Sequence, residues 1–350
     1  MSRIPVAILG ATGTVGQKFI RLLADHPWFE ITQVAASADR IGKRFGDEVR
    51  WRETTPLPAA VADLTLSAAA PTGGVPIAFS ALDAAIALEV EPAFARAGTL
   101  VVSNASAFRM EPDVPLLIPE VNGAHLGLLA QQRIARGWSG GIIANPNCST
   151  AALVVALAPL HQAFGVRQVV VATLQAASGA GYPGIPSLDL LGNVIPFIGG
   201  EEEKIERETR KLLGSFADSA VREAAMIVSA MVHRVPVVDG HMVSASLAFD
   251  RPPSPEAAIA VLEQFRGDPA VSALPSSPTP VIEVDRRPDR PQSRLDVDRG
   301  GGMAVTVGRV RTCPLHHLRL VALSHNLVRG AAGAAIQNAE WAVASGVVPR

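Results

Sequence analysis

Short apolar segments alternate with segments of helical length through roughly the first 150 residues of the chain. The first apolar run, Val6–Leu9, leads through a glycine turn into the helix-like segment Val15–His26. This alternation is typical of parallel βαβ units, so it predicts a doubly wound sheet. The other elements predicted in this half are the strands Ile31–Ala36, Ile77–Leu82, Leu100–Ser103 and Gly141–Ala144 and the helix Ala84–Ala97.

Longer strands dominate the pattern after residue 165, and they predict one mixed or antiparallel sheet. Its predicted strands are Gln168–Gln175, Arg234–Val238, Met242–Phe249, Ala304–Arg311 and Leu318–Leu323. Helices at Glu201–Leu213 and Pro255–Arg266 would cover one face of this sheet. The segment Leu274–Arg294, rich in Pro, Ser and Arg, is interpreted as a surface excursion, and the Ala-rich tail Leu327–Ala344 as a helix.

Composition narrows the class of protein. A chain of 350 residues predicts two domains, or one large domain with an elaboration. The net charge of -1 gives no indication of a nucleic-acid partner, and the apolar runs are too short to span a bilayer. Two cysteines, far apart in sequence, argue against a disulfide scaffold and for a reducing compartment. Because the first strand begins directly after the start, we expect a cytoplasmic protein.

A glycine turn follows the first predicted strand and opens the first predicted helix. Its spacing is G-x-x-G-x-x-G, with Gly10 for the tight turn, Gly13 beside the pyrophosphate and Gly16 against the sheet. This context predicts a dinucleotide site. The candidate contacts are Gly10, Thr12, Gly13, Thr14, Val15 and Gly16.

The end of the second predicted strand indicates which dinucleotide. An NAD site would place Asp or Glu there to bind the ribose hydroxyl, but no carboxylate lies between the end of this strand, Val34–Ser37, and Asp39. Ser37, Arg40 and Lys43 could instead hold a 2′-phosphate, which favours NADP. The two basic residues could equally be solvated loop charges.

One cysteine lies where a predicted helix begins. The segment Asn145–Thr150 precedes an apolar run and places Cys148 on the first turn, where Ser149 or Thr150 could help to cap the helix. A helix N-terminus lowers the pKa of a thiol and can hold an oxyanion, so Cys148 is a candidate nucleophile. The alternative is a buried structural cysteine. The second cysteine, Cys313, falls in a strand pattern and is expected in the core.

Several segments in order resemble the aspartate-semialdehyde dehydrogenases, in the branch shared by archaea, fungi and some bacteria. They are Gly10–Gly16, Ser103–Arg109, Pro119–Asn122, Asn145–Thr150, Thr173–Gly184, Gly200–Lys204, Arg234–His241, Ser324–Asn326 and Gly330–Gly333. The resemblance implies a Rossmann-type cofactor domain over residues 1–147, completed by a C-terminal helix in residues 326–350. Residues 148–325 would form an α+β catalytic and dimerisation domain like that of glyceraldehyde-3-phosphate dehydrogenase. The family also implies a homodimer or homotetramer.

The resemblance assigns the chemistry to three residues. Cys148 would attack an acyl phosphate, expel phosphate and form a thioester, which NADPH reduces to the aldehyde. His241 would be the acid/base, although a lone histidine is more often a surface or structural residue. Gln175 would orient the substrate carbonyl.

Further residues would hold the charged substrate and the cofactor. Arg234 fits the substrate carboxylate, and Glu201 fits the substrate ammonium. Glu202 could bind the ammonium instead, or these glutamates could simply be solvated residues in the first turn of a helix. Lys204 and Arg109 would hold the phosphate. Asn147 would hold the phosphate or the cofactor, or only shape its turn. The residues implied near the nicotinamide end are Ser178, Gly179 and Asn326, and no metal ion is expected.

The predicted function is NADP-dependent, phosphorylating reduction of L-4-aspartyl phosphate to L-aspartate 4-semialdehyde, toward lysine, threonine and methionine. Two alternatives remain open at this point. One is a related reductase of N-acetylglutamyl phosphate or malonyl-CoA, which would share Cys148 and His241. The other is a non-catalytic nucleotide sensor, which would need neither residue.

Overall fold

Two six-stranded sheets organise the chain. The computed structural model describes residues 2–72 and 74–349. The strands are β1 Ile4–Leu9, β2 Phe29–Ala35, β3 Leu66–Ser67, β4 Ile77–Ser80, β5 Leu100–Ser103, β6 Gly141–Ala144, β7 Val166–Gln175, β8 Ser215–Ala217, β9 Ala220–Arg222, β10 Ile227–Arg234, β11 His241–Phe249, β12 Ile282–Asp285, β13 Val305–Thr312 and β14 Leu318–Ser324.

Helices flank both sheets, and a π-helical turn, Val328–Ala332, precedes the last of them. The α-helices are α1 Thr14–Leu23, α2 Phe45–Glu48, α3 Ala59–Ala62, α4 Ala84–Arg96, α5 Pro119–Asn122, α6 Leu128–Arg136, α7 Cys148–Phe164, α8 Ser187–Leu190, α9 Glu201–Leu212, α10 Pro255–Gln264, α11 Pro269–Ser272, α12 Ser293–Asp296 and α13 Gly333–Ala344. None of the helices in the described ranges is both long and apolar enough to cross a membrane.

The first sheet has the strand order β3-β2-β1-β4-β5-β6, and all its pairings are parallel. The order reverses between β1 and β4, and ligands of doubly wound sheets bind outside the carboxyl ends of the strands at such a point. Phe19 and Ile20 of α1 and Ile336 and Ala339 of α13 lie in the apolar core on this sheet. The last helix therefore packs on the first sheet, which supports our proposal that residues 326–350 complete the cofactor domain. Residues 1, 73 and 350 lie outside the described ranges.

The second sheet is mixed, with the order β10-β7-β11-β14-β13-β12. β7 and β10 run parallel with Gln175 opposite Arg234, and β11 runs antiparallel to β7 from His241. The ends of β7 and β10 and the start of β11 therefore lie side by side at one edge of the sheet. The helix α7 covers the sheet and is buried from Ser149 through Leu160, as expected of a helix that is apolar all round.

The predicted doubly wound sheet and the second, mixed sheet are confirmed, but two predicted segments are wrong. Arg234–Val238 is not a strand, because the strand ends at Arg234 and Pro236 follows within a turn before β11. Leu274–Arg294 is not only a surface excursion. It contains β12, whose residue Ile282 is buried where the strand pairs with β13.

A buried ion pair links the two halves of the chain. Arg329, in the π-helical turn, donates from Nη2 to Glu120 Oε1 at 2.8 Å, and both side chains are almost fully buried. Gln337 Nε2 donates to the same oxygen at 2.9 Å, and Arg329 Nε donates to the Met303 carbonyl at 2.7 Å. Because α7 contacts this turn, the pair fixes the surroundings of the residue that begins α7, Cys148.

Replacing Arg329 with Met should destabilise the fold, because the carboxylate of Glu120 would stay buried without its cation. We expect the free energy of unfolding to fall by about 3 to 5 kcal/mol in urea at fixed protein concentration. Arg3→Met is the control, since the Arg3–Glu30 pair is exposed and its loss should change stability by less than about 1 kcal/mol. Equal losses in the two variants would contradict this description of the buried pair.

Candidate active site

A cavity of about 680 Å³ lies between the two sheets, and most of the predicted site residues line it. Cys148 opens onto it from the start of α7, and Gln175 and Arg234 reach it from the edge of the second sheet. The other predicted residues that line the cavity are Arg109, Asn147, Glu201, Lys204, Thr14, Val15, Ser178, Gly179 and Asn326.

His241 lies directly behind the cavity wall. A Cβ atom placed on Gly179 would be 2.9 Å from His241 Nε2 and 2.8 Å from Arg234 Nη1, so only glycine allows the loop to approach both side chains. The imidazole is fully buried. The remaining predicted residues outside the lining of the cavity are Gly10, Thr12, Gly13, Gly16, Ser37 and Arg40.

Asn147, rather than Ser149 or Thr150, caps the cysteine helix. Its Oδ1 accepts from the amides of Ser149 at 2.9 Å and Thr150 at 3.3 Å, and its Nδ2 donates to Glu201 Oε2 at 2.6 Å. Both hydroxyls that we expected to help are buried without a hydrogen-bond partner among the described residues. The amide side chain therefore joins the turn that carries Cys148 to the acidic start of α9.

Burial controls the ionisation of the thiol more than the helix terminus does. Burial, and to a smaller extent the carboxylate of Glu201, raises the pKa of Cys148 to about 12, while Arg109 and Arg234 act in the opposite direction. The expected lowering of the thiol pKa is therefore not observed in the protein alone. The thiol is neutral near pH 7, and its deprotonation depends on the charges that surround it.

The second cysteine is not in the core. Cys313 follows the end of β13 and is partly exposed, with its sulfur accepting from the amide of His316 at 3.5 Å. Hydrogen bonding to the sulfur lowers the pKa of the Cys313 thiol. The prediction of a core position was wrong, because the strand pattern ends one residue earlier.

The hydrogen bonds of His241 define its tautomer. The amide of Ala176 donates to Nδ1 at 3.0 Å, so in the neutral ring the proton lies on Nε2. Nε2 has no hydrogen-bond partner among the described residues. Burial lowers the pKa of His241 to about 3, with Arg234 and His325 acting in the same direction. The ring is therefore a neutral hydrogen-bond donor at the wall of the cavity.

Asn326 fixes the loop that carries Gly179. Its Oδ1 accepts from the amide of Gly240 at 2.8 Å, and its Nδ2 donates to Ser178 Oγ at 2.8 Å. Ser178 in turn donates to Asp239 at 2.7 Å. This chain of hydrogen bonds joins the loop after β7 to the turn before β11, and so it holds Gly179 against His241.

The helix α9 places one of the two candidate glutamates in the cavity. Glu201 is buried and accepts from Lys204 Nζ at 2.9 Å as well as from Asn147. Glu202 accepts from the amide of Val232 at 3.1 Å on the neighbouring strand, and it does not line the cavity. The geometry therefore favours Glu201 for contact with the substrate.

Arg109 and Arg234 are cations with unused donors. Arg109 is held by Glu208 and by the carbonyl of Asn104 at 2.8 Å, and Arg234 Nη1 donates to the carbonyl of Ala176 at 2.7 Å. The Nε atoms of both arginines are buried without a partner among the described residues. Two guanidinium groups with free donors beside a thiol suit a substrate that carries two anionic groups.

Sequence reasoning missed Glu208 and Lys211. Both are buried on α9, and with Glu201 and Lys204 they lie at intervals of three and four residues, which places all four on one helix face. That spacing of charges was visible in the sequence. It predicts a buried face only when the opposite positions are known to be exposed, and the highly charged helix does not show this by itself.

The glycine turn fits a dinucleotide phosphate. A Cβ atom at Gly16 would lie 2.2 Å from the carbonyl oxygen of Gly10, so α1 packs against the turn without space for a side chain. Gly13 is the N-cap of α1, and no described side chain caps this terminus. The first amides of α1 are therefore available to an anion such as a pyrophosphate.

The residues predicted for the 2′-phosphate lie after β2. Arg40 donates from Nη1 to the carbonyl of Glu48 at 3.3 Å, and Lys43 pairs with the Glu48 carboxylate at 3.2 Å. A hydrogen bond from Ser37 lowers the pKa of Asp39. Ser37 is the N-cap of the 3₁₀ turn Ala38–Arg40, and Arg40 is the last residue of that turn, so they can act on one group beside the first sheet.

Comparison with known proteins decides the family. The model of the semialdehyde dehydrogenase NAD-binding domain matches residues 5–129, and that of the dimerisation domain matches residues 157–329. The aspartate-semialdehyde dehydrogenase of Archaeoglobus fulgidus is 51% identical over 99% of this chain and 100% of its own length. That of Schizosaccharomyces pombe is 46% identical over 98% of this chain and 99% of its own. This chain belongs to the aspartate-semialdehyde dehydrogenase family.

A solved structure extends the similarity to the whole fold. The aspartate-semialdehyde dehydrogenase of Candida albicans, solved with NADP, is 41% identical and superposes with a TM-score of 0.91 over 99% of this chain and 100% of its own. The predicted family, including its archaeal and fungal branch, is confirmed. The predicted two-domain architecture of this family is also confirmed.

Removing the carboxylate of Glu201 should make Cys148 more reactive. In a Cys313→Ser background, Glu201→Gln should speed alkylation of Cys148 by iodoacetamide at pH 8 by about three- to tenfold, because a larger fraction of the thiol is then ionised. The reason is that Glu201 raises the thiol pKa. In the background protein, the rate should still rise about tenfold per pH unit up to pH 9.

Glu202→Gln is the matched control for this experiment, because its carboxylate lies against the amide of Val232 and outside the cavity. Its alkylation rate should equal that of the background protein. Slower alkylation in Glu201→Gln, or a rate that levels off near pH 7, would contradict the electrostatic description of the site.

Proposed function

We propose that this chain is a phosphorylating, NADP-dependent aspartate-semialdehyde dehydrogenase that acts through a thioester on Cys148. The observation that carries the proposal is the cavity itself, where a thiol, two arginines, a lysine and a glutamate meet. L-4-Aspartyl phosphate carries a carboxylate, an ammonium and a phosphate. The charges of the cavity complement all three groups.

The first half-reaction is acyl transfer to the thiol. The thiolate of Cys148 attacks the acyl carbon, the new C–S bond forms, and the C–O bond to phosphate breaks. Arg109 and Lys204 hold the leaving phosphate, because both cations line the cavity close to the nucleophile's turn. Arg109 also opposes the effect of the Glu201 carboxylate, which otherwise favours the neutral thiol, and Lys204 pairs with that carboxylate at 2.9 Å.

The second half-reaction changes the oxidation state at the same carbon. The bound nicotinamide cofactor supplies a hydride to that carbon in reduction, and accepts it in the reverse direction. As the acid in this step, His241 donates a hydrogen bond from Nε2–H to the oxygen that becomes negative, since Nδ1 is already bound by the Ala176 amide. As the C–S bond breaks, its electron pair leaves with the sulfur as the thiolate, the C=O double bond forms, and the aldehyde leaves. Gln175, buried at the end of β7, orients the carbonyl.

Substrate specificity rests on the two ends of the amino acid. Arg234 pairs with the carboxylate through its unused donors, and Glu201 accepts from the ammonium. An acyl-CoA or an N-acetylated substrate has no ammonium group, so it would form no charge pair with the buried glutamate, whose partners in the protein are Lys204 and Asn147. The negative charge of Glu201 argues against the malonyl-CoA and N-acetylglutamyl phosphate alternatives. A non-catalytic sensor is disfavoured for a different reason, since it would need neither Cys148 at the cavity nor His241 directly behind its wall.

NADP binding is proposed from the glycine turn and from the absence of a carboxylate at the end of β2. Gly10, Thr12, Gly13, Thr14, Val15 and Gly16 would hold the pyrophosphate, and Ser37 and Arg40 the 2′-phosphate. Ser178, Gly179 and Asn326 would hold the nicotinamide end. The Candida albicans relative was solved with this cofactor.

A homodimer or homotetramer is proposed through the second sheet. Ile227 and Met231 of β10 are 67% and 60% exposed, and they form an apolar face with Val170 and Leu174 of β7. The family model that matches residues 157–329 is described as a dimerisation domain. We further propose a cytoplasmic location, since both cysteines are free, and a place in the biosynthesis of lysine, threonine and methionine.

The proposed activity is tested by NADP reduction with L-aspartate 4-semialdehyde and inorganic phosphate. We expect the rate to require phosphate and to fall by at least about 10³-fold in Cys148→Ser, because the nucleophile is lost. Cys313→Ser is the control and should keep full activity. A folded wild-type protein without activity, or full activity in Cys148→Ser, would refute the mechanism.

The same assay separates the substrate alternatives. Glu201→Gln should raise the KM for the aldehyde, because the amide no longer neutralises the ammonium group. An unchanged KM in Glu201→Gln, together with turnover of malonyl-CoA by the wild-type protein, would replace the amino-acid substrate with the acyl-CoA alternative.

A further inference from the structure

A stripe of alternating charge runs along the buried face of α9. Glu201, Lys204, Glu208 and Lys211 follow one another at intervals of three, four and three residues. The first two line the cavity, and the last two lie behind Arg109, away from any predicted contact with substrate. The stripe therefore extends the site beyond the residues that the reaction uses directly.

Glu208 joins two separate parts of the site. Its Oε1 accepts from Arg109 Nη1 at 3.0 Å, and its Oε2 accepts from the backbone amide of Asn147 at 2.6 Å. The side chain is almost fully buried. One carboxylate thus holds both the arginine proposed to bind phosphate and the residue that precedes Cys148.

Lys211 fixes the backbone of the same arginine segment. Its Nζ donates to the carbonyls of Arg109 at 2.8 Å, Glu111 at 2.7 Å and Val114 at 2.9 Å. Burial lowers the pKa of Lys211 to about 8. The helix α9 therefore holds Arg109 at two points, through its guanidinium group and through its main chain.

We propose that Glu208 is a positioning residue for the phosphate step. It fixes the separation between the Arg109 guanidinium and the Cys148 turn, so that phosphate lies where it can leave, or attack, the acyl carbon on the sulfur. This inference rests on the proposed function, because it assumes that phosphate is a substrate. Glu208 itself does not line the cavity onto which Cys148 opens.

The change of Glu208 to Gln tests this role at nearly constant volume. Both partners of the carboxylate are N–H donors, and a glutamine side chain offers one acceptor and one donor group. One of the two contacts must therefore be lost, and either Arg109 or the Asn147 turn can shift. A displacement of about 1 Å in a catalytic group can reduce a rate about 100-fold.

In Glu208→Gln we expect kcat/KM for phosphate to fall about 10- to 100-fold in the NADP-reduction assay, while the KM for NADP stays within about twofold. Glu208→Asp keeps both acceptor oxygens and should recover part of the loss. Glu206→Gln is the matched control, because Glu206 lies on the same helix but faces β10, where its Oε1 accepts a hydrogen bond from the backbone amide of Ala230 at 3.0 Å. It should behave like the wild type.

Thermal unfolding with and without inorganic phosphate accompanies the kinetics. We expect phosphate to stabilise the wild type and Glu206→Gln more than Glu208→Gln. A merely structural role would lower the melting temperature and reduce kcat/KM for phosphate, aldehyde and NADP to similar extents, and this would overturn the inference. Wild-type kinetics in Glu208→Gln would also overturn it.

The two proposals fail in different ways in this experiment. A wild-type protein without phosphate-dependent activity refutes the proposed function, and with it the positioning role. A wild type with phosphate-dependent activity and an unaffected Glu208→Gln variant refutes only the role of Glu208. If Glu208→Gln does not fold, Glu208→Asp carries the same test, because its shorter side chain must also shift Arg109 or the Asn147 turn.

Discussion

The pairing of buried charge around Cys148 determines how the rest of this structure is arranged. A charge removed from water is unfavourable unless it is paired and hydrogen-bonded, and here at least six ionisable side chains lie within or behind one cavity. Glu208 pairs with Arg109, Glu201 with Lys204, and Lys211 with three carbonyls. Within the part of the chain that the structure describes, some donors have no partner, namely Arg109 Nε, Arg234 Nε and His241 Nε2. Those are the donors that an anionic substrate can satisfy, so the pairing scheme also defines the binding site.

The topology explains how these residues meet. The parallel pair β7 and β10 ends at Gln175 and Arg234, and the antiparallel β11 begins at His241, so one sheet edge carries three of the proposed site residues. The cysteine helix α7 faces this edge, with the π-helical turn and its Arg329–Glu120 pair behind it. The thiol pKa follows from this burial. A site from which water is excluded strengthens the attraction between opposite charges, but it also disfavours the thiolate. The bound substrate must therefore contribute to the charge balance.

The parts of the fold governed by local periodicity could be predicted from the sequence, and the parts governed by distant contacts could not. The parallel βαβ half, the glycine turn and the position of Cys148 at a helix start follow from short-range patterns. The strand at Ile227–Arg234 was missed because its pairing with β7 joins segments far apart in the chain. Glu208 and Lys211 were missed for a related reason. Their importance depends on Asn147 and on the Arg109 segment, and nothing near α9 in sequence indicates those partners.

Trapping the acyl-enzyme decides between a nucleophilic and a structural Cys148. The wild-type protein is mixed with L-aspartate 4-semialdehyde and NADP without phosphate, quenched in acid, digested and analysed by mass spectrometry. The thioester mechanism predicts one aspartyl group on the peptide that contains Cys148, which disappears when phosphate is added before the quench. Formation of NADPH with an unmodified Cys148 peptide, or with the group on another residue, would contradict it.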